Sequence, residues 1–575
     1  MDMDINDKYI ELALEQRADY IPSEELKQGT ATSDFFENIV ESLLKKHTTL
    51  IVGPRGCGKT HMMRYAYMLC KEDNKRPLSI YVSFNRYYRL EPMLISRANA
   101  ISLFHVWVLS RVILATQEAL LDQSSDFSES ELEEAINYMS PEKLHDLVAK
   151  LERSHPLSQE ELYLADSISI HGTRKIIELH TKLSERGRAV LLLDDAALTL
   201  TPEYMVEFFE ILRSLKSPYI SPKASVYPGT TEYGPRFHPA QEGSVENVWL
   251  SVTSPQYLEN ISSIANLRIK GFKDIPEEIR EYLAYAAFGI PRAYLQMMVE
   301  FQKKEYSTLQ QGLNRIVQNN IEARKVEFLS LSLKVPKLRS IIEQGDSLFS
   351  RLVDLLKDAN DKIDAKDTKH LLIGITGLNN QPMVQRVFNL LVEAGLLYPV
   401  PEKVSHGEDR KYDRYIPHIS ALLSKRVFSA KGRGWSAKAV TEKLNQKNAQ
   451  PLRRSVSSLF TDNQLSSFKF DLPACAVCSQ ERVTPTQKFC HNCGNELLDS
   501  STFETCMSLP LHDIPGLTKW TISKLKQELP GFKTIGDLLS VQDPGTELRK
   551  IHRVGQARAE KIIKLVTSFA DEFLQ

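Results

Sequence analysis

The stretch VGPRGCGKT, residues 52–60, lies inside HTTLIVGPRGCGKTHMMRYAYMLC, and the fold of the first half of the chain turns on it. The run reads as a short apolar strand, a glycine-rich loop and a helix, the setting in which the pattern GxxxxGK[ST] cradles phosphate. Gly53, Gly56 and Gly58 carry no side chain, so backbone N–H groups can converge on phosphate oxygens, with Pro54, Arg55 and Cys57 completing the loop. Lys59 is then the residue to reach the β- and γ-phosphates and Thr60 the ligand of Mg²⁺. The start of the helix adds its positive end. The alternative is a plain strand–turn–helix, and a second motif separates the two.

A phosphate loop that works on its nucleotide needs a carboxylate on a neighbouring strand. RGRAVLLLDDAALTL, residues 186–200, supplies an apolar strand ending in Asp194 and Asp195. One acid can hold the water shell of Mg²⁺, and the next can polarise an attacking water. With both motifs in place, residues 30 to 330 resemble the AAA+ ATPases, particularly the origin-recognition-like and STAND-related branches. That resemblance implies ATP and Mg²⁺ as ligands and an ATP-hydrolysing α/β core. It implies a polar sensor after the next strand, in PKASVYPGTTEYGPRF, at Thr230 or Thr231. It also implies a lid arginine in FGIPRAYLQMM, Arg292, and a finger toward a neighbouring subunit's nucleotide, Arg236. Many relatives carry Glu where this chain has Asp195, which leaves slow turnover and a nucleotide switch both open. The gap between the two motifs is long, and SESELEEAINYMSPEKLHDLVAKLERS (128–154) is expected to be a solvated acidic helical insert.

At 575 residues the chain is too long for one core and calls for three to five domains. The hydrophobic fraction of 42% and charged fraction of 25% are ordinary for a globular protein, and a net charge of −1 names no partner. A nucleic-acid surface must therefore be local. The opening MDMDINDKYIELALEQ is acidic and has no apolar centre, and ISLFHVWVLSRVILA (101–115) is interrupted by Arg111 and short of a membrane span. A buried helix there, no membrane partner, and a cytoplasmic or nuclear location are the expectations. Seven cysteines, four of them in two tight pairs, point to reduced thiols and metal.

Downstream, MVQRVFNLLVEAGLLYPVPEKVSHGEDRKYDRYIPHISALL reads as a helix, a strand, a charged loop and a second strand. It resembles a winged helix, with Gln385 and Arg386 near the helix start and Arg410, Lys411 and Arg414 on the wing as candidate DNA-phosphate contacts. A protein-docking winged helix is the alternative. KGRGWSAKAVTEKLNQKNAQPLRRSVSSL is basic, with a Trp among its charges, and reads either as a nucleic-acid contact or as a linker holding one helix. CAVCSQERVTPTQKFCHNCG places Cys475, Cys478, Cys490 and Cys493 as two CxxC pairs eleven residues apart, a closed Cys₄ set for structural Zn²⁺ that resembles a zinc ribbon. The tail segments IPGLTKWTISKL and IHRVGQARAEKI resemble helix-hairpin-helix motifs, with TIGDLL similar to a turn of the RNA polymerase alpha C-terminal domain. Each keeps one turn glycine, Gly516 or Gly555, and Arg553, Arg558 and Lys561 surround the second as DNA-phosphate candidates.

The expected architecture is thus multidomain: an N-terminal extension (1–30), an α/β P-loop NTPase core with helical insertion (31–270), and a helical lid (271–342). A winged helix (343–428), a basic linker (429–470), a zinc ribbon (471–500) and an all-α tandem helix-hairpin-helix tail (505–575) follow. The expected function is an ATPase acting on or near DNA, possibly as a homo-oligomer through the ATPase module. A nucleotide-controlled signalling switch and a non-enzymatic ATP-bound adaptor are the rivals.

Overall fold

The computed structural model describes residues 18, 21–84, 90, 99–124, 139–153, 155–195, 202–303, 306–334, 338–364, 367–405, 411–428, 436–446, 451–461, 464–465, most of 474–497, 502–514, 516–541 and 543–574. Five strands, β1 (Thr48–Val52), β2 (Leu78–Ser83), β3 (Ala189–Asp194), β4 (Ile220–Val226) and β5 (Gly243–Asn247), form one parallel sheet in the order β2-β3-β4-β1-β5. Strand side chains alternate between faces, so each strand feeds two cores. Val190 and Leu192 of β3 pack with the helices Asp34–Leu44 and Lys59–Glu72, while Ala189, Leu191 and Leu193 pack with Ala100–Gln123, Ile170–Leu183 and Pro202–Leu215. Helices on both faces of a parallel sheet are the layout of a P-loop NTPase core. Ligands in such sheets bind beyond the carboxyl ends of the strands, and both motifs stand there, the loop after β1 and the acids at the end of β3.

The helix Ala100–Gln123 is longer than its apolar run and, by length and composition, is long enough to cross a membrane. Here it is buried, lying across β2 with Phe104, Trp107, Val112 and Ile113 inside. Part of the expected acidic insert behaves differently from a solvated helix. In Pro141–Glu152 the residues Leu144, Leu147, Val148 and Leu151 recur at helical spacing and are buried against Ala100–Gln123. Residues 125–138 lie outside the described part.

A second sheet, β7-β8-β6-β9, follows the lid helices; its strands are β6 (Ile373–Thr376), β7 (Leu397–Ser405), β8 (Lys411–Pro417) and β9 (Leu452–Ser455). Helices Arg339–Asn360 and Pro382–Glu393 pack on it. The described part of the expected linker is not a linker. Its helix Ala437–Asn445 packs on Glu277–Ala286, and β9 pairs parallel with β6, Arg453 opposite Gly374. A four-residue strand is stable there because β6 offers a free edge. The helix Thr502–Ser508 leads into the tail and rests on the long helix Leu309–Lys334.

Candidate functional site

The phosphate loop closes around its own lysine. Gly56 and Gly58 hold φ of +91° and +90°, the left-handed region that glycine enters without penalty, and Gly58 opens the helix Lys59–Glu72. The space beside Gly58 is open, whereas a Cβ on Gly53 would meet Val248 at 2.8 Å. Lys59 is buried, with Nζ donating to the carbonyls of Gly53 (2.6 Å) and Pro54 (3.4 Å) and lying 3.9 Å from the centre of the Tyr227 ring. Burial pulls its pKa down, and the carboxylates of Asp195 and Asp194 act in the opposite sense. Thr60 lines the same cleft, while burial pushes the Cys57 thiol up to about 12 and leaves it chemically quiet.

The acid pair is held by a bridge that the sequence reading did not include. Asp194 is fully buried; its Oδ1 accepts from Ser225 Oγ (2.7 Å) and its Oδ2 from the Tyr81 hydroxyl (2.9 Å). The same Ser225 oxygen accepts from the backbone N–H of Asp195 (2.9 Å), whose φ of +53° turns its side chain toward the cleft that it lines. Because β4 lies between β1 and β3, Ser225 and, past the strand end, Tyr227 are the residues that stand between loop and acids. Of the two residues expected as the sensor, Thr230 and Thr231, neither lines the cleft; Tyr227 does. Thr231 donates to the Tyr227 carbonyl (2.8 Å) and so buttresses that turn.

Arg292, expected as a lid arginine, reaches the loop through an exacting backbone fit. Gly289, φ +74°, passes so close to the Leu250 carbonyl that a Cβ would lie 2.0 Å from it. Tyr257 fixes the turn by accepting from Gly289 N–H (2.9 Å) and donating to Ala284 O (2.5 Å). Arg292 then packs against Gly56, whose carbonyl accepts its backbone N–H at 3.5 Å. Burial, with Arg55 and Arg324 nearby, holds its guanidinium down to about 10. Among the described residues neither Lys59 nor Arg292 has a carboxylate within ion-pair distance. Lys59 is buried and Arg292 half-buried; cations drawn out of water are costly without a partner, so this end of the cleft suits a polyanion.

The other end is apolar, lined by Ile21, Phe36, Ile261, Ile264 and Leu295. The N-terminal extension closes it: Ala18 and Ile21 carbonyls accept from Arg64, and Gly29 O accepts from Arg268 Nε (2.9 Å). His61, beside Thr60, meets Thr30 Oγ1 at 2.7 Å, and burial with Arg268 and Arg64 keeps it neutral, down to about 3.

Arg236 is 74% exposed, its nearest acid Glu210 at 4.0 Å, on the surface and outside this cleft. The residues expected on a winged helix are placed differently from expectation. A Cβ on Gly395 would lie 3.6 Å from Pro54 and one on Gly229 2.7 Å from the Asn389 carbonyl, so the helix Pro382–Glu393 is docked on the phosphate-loop region. Gln385 bonds to Asn389 within that helix (3.0 Å), and Arg386 is half-buried. Arg414, expected on the surface of the wing, is buried, because its strand β8 lies between β7 and β6. Arg410 and the side chain of Lys411 lie outside the described residues.

Two further clusters stand away from the cleft. The Sγ atoms of Cys475, Cys478, Cys490 and Cys493 lie within 4.8 Å of one another, with 3.5 Å between Cys475 and Cys493 and between Cys478 and Cys490. Tetrahedral Zn–S bonds of about 2.3 Å require sulfurs just under ~4 Å apart, so the set fits Zn²⁺. Its two knuckles repeat each other: Ser479 N–H bonds to Cys475 O and Gly494 N–H to Cys490 O, and both residues are left-handed, φ +57° and +70°. In the tail, Gly516 (φ +90°), Arg553, Arg558 and Lys561 share one groove, and Gly555 is exposed just before the helix Gln556–Leu574.

No family model matches the chain, and no curated protein does. Several solved structures are similar to it, two of which are the following. One is a Walker-type ATPase of Pyrococcus abyssi, 13% identical, TM-score 0.33, covering 71% of this chain and 97% of that one. The other is the Aeropyrum pernix ORC1 protein in complex with DNA, 14% identical, TM-score 0.30, covering 76% and 95%.

Proposed function

We propose that the chain is an AAA+ ATPase that binds ATP with Mg²⁺, hydrolyses it, and uses the cycle to assemble on or remodel DNA. One observation carries the reading: Lys59, buried, and Arg292, half-buried, two cations without acidic partners among the described residues, face the same loop of left-handed glycines. In this reading the loop N–H groups and Lys59 hold the β- and γ-phosphates, and Arg292 neutralises charge on the γ-phosphate. Thr60 and Asp194 would hold Mg²⁺, which supplies charge neutralisation between phosphates. Asp195 orients the attacking water, and Ser225 keeps it in place. The apolar end receives the base. Arg236 serves a neighbouring subunit, and the zinc-stapled ribbon and the tail form the DNA-facing part. The test is Lys59→Ala, assayed for nucleotide binding and for turnover with and without DNA: loss of both with an intact fold supports the site, and unchanged affinity and turnover overturn it.

The docked winged helix favours a second reading. Gly229 passes so close to Asn389 that a Cβ would not fit, and Pro54 lies beside Gly395, so the nucleotide loop shares a boundary with the winged helix, as a nucleotide-controlled switch would need. Turnover near zero with nucleotide-dependent assembly would put the switch ahead of the motor; turnover stimulated by DNA would do the reverse.

A further inference from the structure

The tail groove has features that phosphate contacts do not use. It has a volume of about 630 Å³, within the ~300–1,000 Å³ of small-ligand sites. Its floor is apolar, formed by Leu517, Val554 and Leu565, and its wall carries Trp520, which is 40% exposed. Arg558 lies 5.3 Å from the indole centre and donates to the Arg553 carbonyl (2.9 Å), so the ring and the second turn are fixed together. Arg553 and Lys561 stand at the same groove, and among the described residues neither side chain has an acidic partner, nor does any carboxylate line the groove. Arg553 also holds φ at +68°, a conformation that bulky residues seldom adopt, within the turn that places it there.

We propose that this groove takes one unpaired nucleotide of a DNA strand, the base against Trp520 and the apolar floor and its flanking phosphates at Arg553 and Lys561. The inference rests on the reading that the chain acts on DNA, and it adds a preference for unpaired over paired strands. The physical reason is the pairing of surfaces. A duplex presents phosphates to such a groove and keeps its bases stacked inside, so an apolar floor and an exposed indole gain nothing from it. A single strand offers both a π-face and a phosphate within one nucleotide, which matches aromatic and cationic groups standing side by side. Stacking on an aromatic is tolerant of base identity, so the site reads strandedness and not sequence.

The experiment titrates the full-length protein with a labelled single-stranded DNA oligonucleotide, the same sequence as a blunt duplex, and an abasic single strand. Base–aromatic stacking is worth about 1–3 kcal/mol, so Trp520→Ala should weaken single-strand binding by roughly 5- to 150-fold. Duplex and abasic affinities should change by less than about twofold, and Trp520→Phe should keep most of the single-strand affinity. Arg553→Ala and Lys561→Ala should each flatten the salt dependence of single-strand binding by about 0.7. Single-strand binding that Trp520→Ala leaves unchanged overturns the proposal. Binding to duplex alone overturns it too, and leaves the DNA reading standing; binding to neither overturns both. Displacement of the bound strand by polyglutamate as readily from Trp520→Ala as from the wild type would reassign the groove to an acidic protein partner.

Discussion

Arg292 gives a test in which two roles predict opposite signs. Burial and the neighbouring Arg55 and Arg324 lower its pKa from 12.5 to about 10. A cation whose pKa falls on folding destabilises the folded state at every pH below the lowered value, and the penalty is relieved only as pH rises past it. At neutral pH the whole penalty is therefore present. At ~1.4 kcal/mol per pH unit it amounts to roughly 3 kcal/mol, and water at the cleft mouth reduces that to about 1–2 kcal/mol. Arg292→Met keeps much of the stem that packs on Gly56 and removes the charge. In the nucleotide-free protein it should raise Tm, by about 2 °C for a chain of this size. With Mg·ATP the order reverses. A ligand at a hundredfold excess over its Kd stabilises by about 2.7 kcal/mol, and losing a charge-assisted contact of about 1.5–3 kcal/mol takes most of that away. The assay is thermal unfolding at neutral pH with and without Mg·ATP, repeated with a non-hydrolysable analogue. A lower Tm without nucleotide together with an undiminished nucleotide shift would refute the reasoning and make Arg292 a packing residue of the lid.

Ser225→Ala cuts the link between Asp194 and the Asp195 backbone, so turnover should fall by up to about 100-fold with ATP affinity changed little; equal losses in both would show a merely structural serine. Asp195→Asn should keep ATP binding and lose hydrolysis, while Asp194→Asn should raise the Mg²⁺ concentration needed for half-maximal activity. Normal hydrolysis in both would place the acidic motif elsewhere. Chelating Zn²⁺ should unfold the ribbon, since Cys₄ binding energy is folding energy. Ser479→Gly should strengthen metal retention by about 1 kcal/mol and Gly494→Ser weaken it by a similar amount, because both positions are left-handed; metal competition with a chromophoric chelator measures the pair, and equal behaviour of the two variants would contradict the repeated-knuckle geometry.

The parts that could be read from the sequence are those whose physics is local. A left-handed turn around phosphate demands glycine at set spacings, and two thiolates on one metal demand a short spacer, so Gly53–Thr60 and the four cysteines announce themselves. The parts that could not be read depend on which strands become neighbours. Ser225 is an ordinary serine until β4 is placed between β1 and β3, and only then does its hydroxyl span two acids. The sequence shows polar residues after the strand, Thr230 and Thr231, but not the direction of the turn that brings Tyr227 to the cleft.

Charge misled in the same non-local way. Arg414 sits in DRKYDRY, which reads as solvated, yet the central place of β8 buries it. LRRS has no strand signature of its own and becomes β9 only because β6 offers it an edge. The helix Pro141–Glu152 is the instructive exception. Its four buried apolar residues recur at i, i+3, i+4 and i+7, a pattern visible in the sequence but hidden there under acidic composition. Periodicity reports which face will be buried, whereas net charge reports only what the opposite face presents to water. The segment that resembles a winged helix extends the point to larger units. Its helix Pro382–Glu393 carries Arg386 and reads as a DNA-facing element, but the same helix buries Val387, Leu390 and Leu391 and rests Asn389 on Gly229. Which partner a helix meets is decided by the backbone that comes closest to it, and at Gly229 the chain has no Cβ where one would stand 2.7 Å from the Asn389 carbonyl.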